Sequence, residues 1–372
     1  MPPKPLIVTV LPPREGFGPG RTGAIGLIAD RLNVSVEDSS FCTLIVGGAQ
    51  PGGTFTDVPF IAAIPSWWRP GNINQRYAVA VATVIRRLSP ALVEVHNRAE
   101  IALSLATRLA PIPVSLILHN DPQTMRGARS AAERHVLLAR LARVIPVSAY
   151  LRGRLLEGVT DPAHAPEILP NCIDLAALPE PLPAEARDKK ILFVGRVVPE
   201  KAPDAFVAAC AKALPRLPGW RAEIIGADRF RADSPDTGFS RDVAAAAAAA
   251  GITMAGYLDH PAVLQAMARA AMLMMPSRWQ EPFGLTALEA MASGACLLCS
   301  TRGGLPEVGG DVFLPVDPDD PQAMAETIFR LAQDPARIAL HSTAGRERAK
   351  AFDVGPTRHR LDAMRQAILA GG

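Results

Sequence analysis

Short apolar runs alternate along the chain with segments in which apolar residues recur every three or four positions. The runs Leu6–Leu11 and Leu92–His96 are typical of buried parallel strands, and the segments Ala24–Leu32 and Asn74–Leu88 predict amphipathic helices. The same alternation begins again near Lys190 and continues to the C-terminal helices. This pattern predicts an α/β fold in which helices cover parallel sheets.

The renewed pattern predicts two domains. A chain of 372 residues is long for one hydrophobic core. The proline-rich, polar stretch Pro179–Lys190 is typical of a linker. We therefore predict an N-terminal domain over 1–178 and a C-terminal domain over 187–354.

Composition excludes several classes of protein. With 49% hydrophobic and 20% charged residues, the chain is an ordinary globular protein and not a disordered one. A net charge of +3, without a long Lys/Arg run, predicts no nucleic-acid partner. No apolar run is long enough for a bilayer span, and the N-terminus lacks a signal-peptide pattern. Together with five cysteines, an odd number, these features predict a cytoplasmic protein.

Cys296 and Cys299 form a C-x-x-C pair inside an apolar run that predicts a buried strand. Core packing is the expected role of both thiols, with a zinc or redox site as the alternative.

The strongest chemical pattern lies in Glu281–Glu289, which reads Glu-Pro-Phe-Gly-Leu-Thr-Ala-Leu-Glu. Its proline and glycine break the chain just before a run of helix formers, so Glu281 is expected in a loop and Glu289 one turn inside a helix. The free N–H groups at 283–285 would open that helix and attract an anion. Carboxylates on both sides can accept hydrogen bonds from hydroxyls. This layout fits a nucleotide sugar, in which a diphosphate joins two groups that carry hydroxyls.

Glu281–Glu289 resembles the two-glutamate motif of retaining GT-B glycosyltransferases of glycosyltransferase family 4, the glycosyl transferases group 1 type. Two further segments carry the resemblance: Gly195-Arg196 with Glu200-Lys201, and Gly303-Gly-Leu-Pro-Glu307. Ala202 replaces the glycine that the family has after the lysine, which leaves both charges in place. The resemblance covers most of the chain and is densest from Ile191 to Val308.

The resemblance implies the GT-B fold, in which two Rossmann-like, doubly wound domains face each other across a central cleft. It implies that the N-terminal domain lies on the acceptor side and that the C-terminal domain binds the nucleotide-sugar donor. It also implies that the last helix, within 355–372, crosses back to the first domain.

Arg196 and Lys201 are predicted to hold the diphosphate. Arg196 follows the carboxyl end of a predicted strand, and Lys201 comes five residues later. Two cations so placed can neutralise the charge that grows on a leaving nucleoside diphosphate. The Asp-rich segment 317–320 falls in a predicted turn and not at a strand end, so it does not match the Asp-x-Asp motif of metal-dependent transferases. The prediction is therefore a reaction without metal and without cofactor.

Two predicted strands of the first domain end in polar residues. His96 is followed by Asn97 and Arg98, and His119 is followed by Asn120. Such side chains point into the ligand crevice of a doubly wound sheet. The resemblance implies that His119 contacts the transferred sugar and the acceptor, and we place the other four on the acceptor side. A structural, hydrogen-bonded role is the alternative for both histidines.

The resemblance implies that the glycine-rich loop before the first helix brings backbone amides close to the diphosphate or the acceptor, with a flexible surface loop as the alternative. It implies that the residues after Gly256 line the base pocket. The predicted catalytic residues are His119, Arg196, Lys201 and Glu281. The predicted donor-binding residues are Gly23, Tyr257, Leu258, Phe283, Gly284, Leu285, Thr286 and Glu289.

The predicted function is the transfer of a hexose-type sugar, with retention and without metal, from a nucleoside-diphosphate sugar. UDP is favoured and GDP-mannose is the alternative donor type. The acceptor is a glycan or a lipid-linked molecule in the synthesis of cell-surface polysaccharide or glycolipid. Two alternatives stay open: another GT-B sugar-nucleotide enzyme, such as an epimerase or hydrolase, and a non-catalytic nucleotide-sugar binder.

Two features predict peripheral contact with the inner face of the membrane. Trp67 and Trp68 beside Arg69 either touch a membrane or acceptor, or pack inside the domain. The arginine-rich stretch 126–143, with a predicted helix Arg129–Arg143, either faces anionic lipid or is a solvated face.

Overall fold

The computed structural model describes residues 3–34, 39–229 and 234–371. The chain forms two compact units. Unit 1 comprises Met1–Cys172 with Val354–Gly372, and unit 2 comprises Ile173–Asp353. The predicted linker, 179–190, follows this division and lies within unit 2.

Unit 1 contains a six-stranded parallel sheet with the strand order β3-β2-β1-β4-β5-β6. Its strands are β1 (Leu6–Val10), β2 (Cys42–Gly47), β3 (Phe60–Ala62), β4 (Leu92–His96), β5 (Val114–Leu118) and β6 (Arg143–Pro146). Its first helices are α1 (Ala24–Asn33), α2 (Ile73–Leu88), α3 (Ala99–Leu109), α4 (Ala131–Arg140) and α5 (Ala149–Leu156).

Unit 2 contains a second six-stranded parallel sheet with the order β12-β11-β10-β7-β8-β9. Its strands are β7 (Asp188–Val194), β8 (Arg221–Ile225), β9 (Thr253–Gly256), β10 (Ala270–Met275), β11 (Cys296–Cys299) and β12 (Leu314–Pro315). Its helices are α6 (Pro203–Ala213), α7 (Gly238–Ala249), α8 (His260–Arg269), α9 (Leu285–Ala292), α10 (Leu305–Gly309), α11 (Pro321–Ala332) and α12 (Pro335–Ala349). The chain then returns to unit 1 as α13 (Val354–Leu369).

Both sheets are doubly wound. The strand order reverses between β1 and β4 in unit 1, and between β7 and β10 in unit 2. At such a reversal the loops that follow the two central strands diverge, which opens a crevice at the carboxyl edge of the sheet. The prediction of an α/β fold built on two doubly wound parallel sheets is confirmed.

Local signals explain where many helices begin. Asn72 and Gln75 form a reciprocal capping box at α2, and Ser130 and Glu133 form one at α4. The Ser148 side chain caps α5. Among the described residues, no helix combines the length and the apolar character that crossing a bilayer requires.

The predicted helix Arg129–Arg143 is wrong in its bounds, and its arginines do not share one face. The helix in this stretch is only Ala131–Arg140, and Arg143 begins β6. Arg134 is buried and donates to the backbone carbonyl oxygens of Ala128, Arg129, Leu155 and Glu157. Arg134 therefore fixes loops inside unit 1, and Arg143 lies on a strand. The arginines of this stretch do not form a single surface.

The two tryptophans of the loop after β3 are exposed. Trp67 is 85% exposed and Trp68 is 66% exposed, and Ile64 beside them is also exposed. The alternative in which these rings pack inside the domain is therefore wrong.

The cysteines of β11 are part of the core of unit 2. Cys296 and Cys299 are fully buried, and burial raises the pKa of Cys296 to about 12 and also raises that of Cys299. Within 3–34, 39–229 and 234–371, no three His, Cys, Asp or Glu side chains gather in a way that could hold a metal ion. Core packing of these two thiols is confirmed.

Candidate functional site

The predicted catalytic residues of unit 2 follow two adjacent strands. Gly195 and Arg196 come directly after β7, and a short 3-10 turn, Pro199–Lys201, leads to α6. The segment after β10 runs from Ser277 to Glu281. Since β7 and β10 are neighbours at the reversal of the sheet, the segments that follow them come together at its carboxyl edge.

Lys201 and Glu281 are in direct contact there. Lys201 Nζ lies 2.5 Å from Glu281 Oε1, although 80 residues separate them in the chain. The Ser277 hydroxyl lies 2.8 Å from the same oxygen, and the Trp279 ring centroid is 4.9 Å from Nζ. Glu281 is only 4% exposed, so its charge needs these partners.

Ser277 and Trp279 were missed in the sequence. Both precede Glu281 in the loop that brings it to Lys201, at four and two positions before it. The loop reads Ser-Arg-Trp-Gln-Glu over 277–281, and this sequence carries no local pattern that marks their role. Arg196 is half-buried at the end of β7, beside the turn that carries Lys201.

Two glycines shape the loop around Glu281. Gly303 has φ +67°, and a Cβ added there would lie 2.2 Å from the Glu281 carbonyl oxygen. Gly284 has φ +103°, and its Cβ would lie 2.5 Å from the Leu305 side chain. Only glycine fits both the left-handed backbone and the close approach.

The N-terminus of α9 opens next to Glu281. The helix begins at Leu285, at the end of the predicted opening segment 283–285, and the carbonyl of Gly284 accepts its first backbone hydrogen bonds. The N–H groups of Leu285 and Thr286 therefore have no acceptor within the helix, and they form the positive end of its dipole. The Phe283 side chain is buried against Phe352, with ring centroids 5.7 Å apart, so only its backbone can contact a ligand.

Glu289 lies one turn inside α9 and is buried. Its Oε1 is 2.8 Å from Nε2 of His260, the first residue of α8. Tyr257 and Leu258, the predicted base-pocket residues, lie half-buried in the same β9–α8 connection. Glu289 and the predicted base-pocket segment thus meet through His260. Sequence reasoning missed His260, because no spacing pattern links a helix-start histidine to a carboxylate 29 residues later.

In unit 1 the two predicted histidines are in contact. Nδ1 of His96 and Nε2 of His119 are 3.0 Å apart, and the rings stack with centroids 5.0 Å apart. Burial lowers the pKa of His96 to about 3, and the Arg365 charge acts in the same direction. Burial also lowers the pKa of His119 well below its usual value, with His96 adding to the effect and the Asn171 side chain opposing it. Both rings are therefore neutral at pH 7.

Asn97 joins the ends of β4 and β5. It has φ +55° and is buried, and its Oδ1 accepts from the N–H groups of His119 at 3.2 Å and Asn120 at 2.9 Å. Arg98 Nη1 donates to the carbonyl oxygen of Asn97 at 2.7 Å. The side-chain carbonyl of Asn97 thus serves to position the backbone of His119.

A carboxylate of the protein itself lies at the glycine-rich loop. Glu15 Oε1 accepts from the N–H of Gly26 at 3.1 Å, and a Cβ at Gly23 would lie 2.6 Å from the same oxygen. Burial raises the pKa of Glu15, while the Gly26 amide and the Arg98 charge lower it. In this structure Gly23 therefore faces Glu15 and not an open edge.

Comparisons with known proteins bear on both units. Residues 176–350 match the family model described as Glycosyl transferases group 1. The D-inositol 3-phosphate glycosyltransferase of Segniliparus rotundus is 32% identical over 201 residues, which are 54% of this chain and 44% of that protein. The chain thus spans less than half the length of this curated relative.

Solved structures extend the similarity to nearly the whole chain. Sucrose-phosphate synthase from Thermosynechococcus elongatus has a TM-score of 0.78 at 19% identity, covering 98% of this chain and all of that one. Anabaena Alr3699/HepE in complex with UDP and glucose has a TM-score of 0.74 at 18% identity, covering 95% of this chain and 97% of that one. These similarities confirm the predicted fold class, GT-B.

Proposed function

We propose that this chain is a retaining glycosyltransferase of the glycosyl transferases group 1 family, which transfers a hexose-type sugar from a UDP-sugar to a glycan or lipid-linked acceptor. The observation that carries the proposal is the Lys201–Glu281 contact at the sheet reversal of unit 2, beside the N-terminus of α9. The family match over 176–350 covers these residues and supports the same reading.

The chemical groups of a nucleotide-sugar donor match the residues at the carboxyl edge of the unit 2 sheet. Lys201, Arg196 and the first N–H groups of α9 offer positive charge to a diphosphate. Glu281 accepts hydrogen bonds from hydroxyls of the sugar, and Glu289 accepts them from the ribose. His260 orients the Glu289 carboxylate, and Tyr257 and Leu258 meet the base. UDP is the favoured nucleotide because the similar Alr3699/HepE structure holds UDP, and GDP-mannose is the alternative donor.

The proposed reaction exchanges one glycosidic bond for another on the same face of the sugar. The bond from the anomeric carbon to the diphosphate oxygen breaks, and the acceptor oxygen bonds to that carbon. The acceptor proton passes to the departing phosphate oxygen, so no separate base is consumed. Lys201 and Arg196 stabilise the negative charge on the leaving group, and His119 orients the sugar and the acceptor. In this reaction Lys201 and Arg196 neutralise the charge that a metal ion neutralises in other transferases, and no cofactor is consumed.

A panel of nucleotide sugars tests the proposal. The protein is incubated with UDP-, GDP- and ADP-sugars, with and without membrane-lipid and oligosaccharide acceptors, in the presence of EDTA. Release of nucleoside diphosphate only when acceptor is present is the expected result. Release of nucleoside diphosphate without acceptor would favour a hydrolase. Conversion of one nucleotide sugar into another would favour an epimerase, and tight binding without turnover would favour a non-catalytic binding protein. Activity that disappears in EDTA and returns with a divalent ion would overturn the metal-independent step.

We further propose that the loop 64–71 of unit 1 meets an anionic membrane surface. Ile64, Trp67 and Trp68 are exposed together, and the Arg69 guanidinium lies 5.2 Å from the Trp68 ring centroid. From Val58 to Val93 the chain has four arginines and no Asp or Glu. Amphipathic aromatic rings beside cations suit the interface of an anionic bilayer.

Vesicle binding tests this surface. With vesicles that contain phosphatidylglycerol, the double variant Trp67→Ala/Trp68→Ala is expected to bind about tenfold or more weakly than the wild type, because both interfacial rings are lost. Trp220→Phe is the matched control, since Trp220 packs against the core of unit 2. Equal binding of the wild type and the double variant, or equal binding to phosphatidylcholine alone, would refute the assignment.

A further inference from the structure

Oppositely charged side chains link the segments at the carboxyl edge of the unit 2 sheet. The strands β7, β10, β11 and β12 are neighbours in that sheet, and each is followed by a segment that contributes to the link. In the order of their contacts, the side chains are Asp204, Arg278, Asp319 and Arg302. These residues are far apart in the sequence, so the link depends on the strand order of the folded sheet.

Arg278 makes most of the contacts in this link. Its Nη1 and Nη2 donate to the two carboxylate oxygens of Asp204, at 2.8 and 2.9 Å. Its Nη1 also donates to the carbonyl oxygen of Pro199 at 3.2 Å. Because Pro199 and Asp204 lie on either side of Lys201 in the sequence, one guanidinium holds both ends of the segment that carries the ammonium. Lysine cannot replace this planar fork with a single ammonium group.

The backbone of the Arg278 loop is joined to the residue next to Lys201. The carbonyl oxygen of Glu200 accepts from the N–H of Arg278 at 2.9 Å and from the N–H of Trp279 at 3.0 Å. Glu281 follows in the same loop, and its Oε1 lies 2.5 Å from Lys201 Nζ. The geometry of the Lys201–Glu281 contact therefore depends on how these two segments dock on each other.

Arg302 and Asp319 add a second set of contacts to Arg278. Arg302 Nη1 donates to the carbonyl oxygen of Arg278 at 2.9 Å, and Arg302 Nη2 lies 2.7 Å from Asp319 Oδ2. The other Asp319 oxygen lies 3.4 Å from Nε of Arg278. The Asp319 side chain is 60% exposed, so water screens its ion pairs. We therefore expect the forked pair with Asp204 to contribute more to the docking.

We propose that Arg278 is a positioning residue that holds the turn of Lys201 against the loop of Glu281 and so fixes where the ammonium lies. It acts through Lys201, whose ammonium it keeps at the place where the leaving diphosphate gains charge. A displacement of about 1 Å can cost about a hundredfold in rate, so a residue that prevents it affects turnover. The docking is independent of the reaction, and its consequence for transfer rests on the proposed function.

Amide hydrogen exchange of the ligand-free protein tests the docking directly. In Arg278→Gln we expect the amides of positions 278 and 279, which bond to Glu200 in the wild type, to exchange about tenfold or more faster. Arg269→Gln is the matched control, because Arg269 forms its ion pair with Asp188 at the first residue of β7. Exchange of the two amides at the wild-type rate in Arg278→Gln would overturn the proposal, whether or not transfer activity is found.

A double-mutant cycle with Lys201 tests the consequence for transfer. Arg278→Gln alone is expected to lower kcat by about tenfold to a hundredfold, while Arg269→Gln keeps the kcat of the wild type. In the Lys201→Ala background, Arg278→Gln is expected to lower kcat by less than about threefold, because the group that it positions is absent. Losses that multiply in full would show that Arg278 does not act through Lys201.

Asp204→Asn repeats both measurements if Arg278→Gln does not fold. This substitution keeps the shape of the partner side chain and removes the charge that the guanidinium pairs with. We expect faster exchange of the same two amides and a lower kcat that depends on the presence of Lys201. Wild-type exchange at both amides would again overturn the proposal.

Discussion

Replacement of Lys201 by alanine is expected to lower kcat by about a hundredfold to a thousandfold while the protein stays folded. In the proposed reaction the ammonium of Lys201 supplies charge to the departing diphosphate, and in the structure it lies 2.5 Å from Glu281 Oε1. Without it, the leaving group loses a charge partner and the Glu281 carboxylate is freed to repel the phosphate. Initial rates of nucleoside diphosphate release, with the best donor of the wild type, measure the effect.

Lys190→Ala is the matched control for this variant. Lys190 pairs with Glu223 at 2.6 Å and is about as exposed as Lys201, but it belongs to β7 itself and not to the loops beyond the carboxyl end of that strand. We expect its kcat to stay close to that of the wild type. If Lys201→Ala transfers sugar as fast as Lys190→Ala, the assignment of the diphosphate site is wrong.

Arg365→Ala is expected to have the largest effect on stability, a loss of about 3–5 kcal/mol in the free energy of unfolding. Arg365 on α13 is 2% exposed, and its guanidinium contacts both Glu94 carboxylate oxygens, at 2.6 and 3.0 Å. Its Nη2 also lies 3.0 Å from Asn33 Oδ1. Removal of the guanidinium leaves the buried Glu94 carboxylate on β4 without a counter-charge. Urea unfolding followed by circular dichroism measures the loss.

Two further variants separate the buried charge from the loss of packing. Arg360→Ala, on an exposed position of the same helix, is expected to change the free energy of unfolding by no more than about 0.5 kcal/mol. Arg365→Leu combined with Glu94→Leu removes both charges, and we expect it to be clearly more stable than Arg365→Ala. If the double variant is as unstable as the single one, the unpaired carboxylate is not the cause.

The elements with strong local signals could be predicted closely from the sequence. The pattern predicts a helix over Pro321–Ala332, and α11 has these bounds because Asp320 caps it and Pro321 suits its first turn. The stretch 129–143 was predicted as one helix because its Ala, Leu and Arg residues all favour helix. The pairing of Arg143 with Ser115 on β5 ends that helix early, and this long-range contact leaves no local trace.

The sequence identifies candidate site residues, but it does not predict the contacts between them. Arg196, Lys201, Glu281 and Glu289 carry a motif, so their positions in the chain identify them. Which of them touch depends on strand order, because β7 and β10 are neighbours although α6, α7, α8 and two strands lie between them. His260 belongs to no sequence motif, so only its contact with Glu289 in the structure identifies it.

The loop before α1 shows a different limit. A glycine-rich segment between a strand and a helix predicts amides that are open to an anion. Here Glu15, from the same loop, supplies the anion, and it approaches Gly23 and Gly26 closely. Whether such a carboxylate folds back onto the loop depends on the loop conformation. The pattern of residue types along the sequence does not encode that conformation.

The central claim is that the carboxyl edge of the unit 2 sheet binds the charged middle of an activated sugar with protein cations and helix amides. A crystal structure of the protein with UDP tests it most directly. In that structure we expect the diphosphate within hydrogen-bond distance of Lys201 Nζ and of the N–H of Leu285, with the ribose hydroxyls on the Glu289 carboxylate. A diphosphate bound away from Lys201 and α9, with no ribose hydroxyl on Glu289, would contradict it.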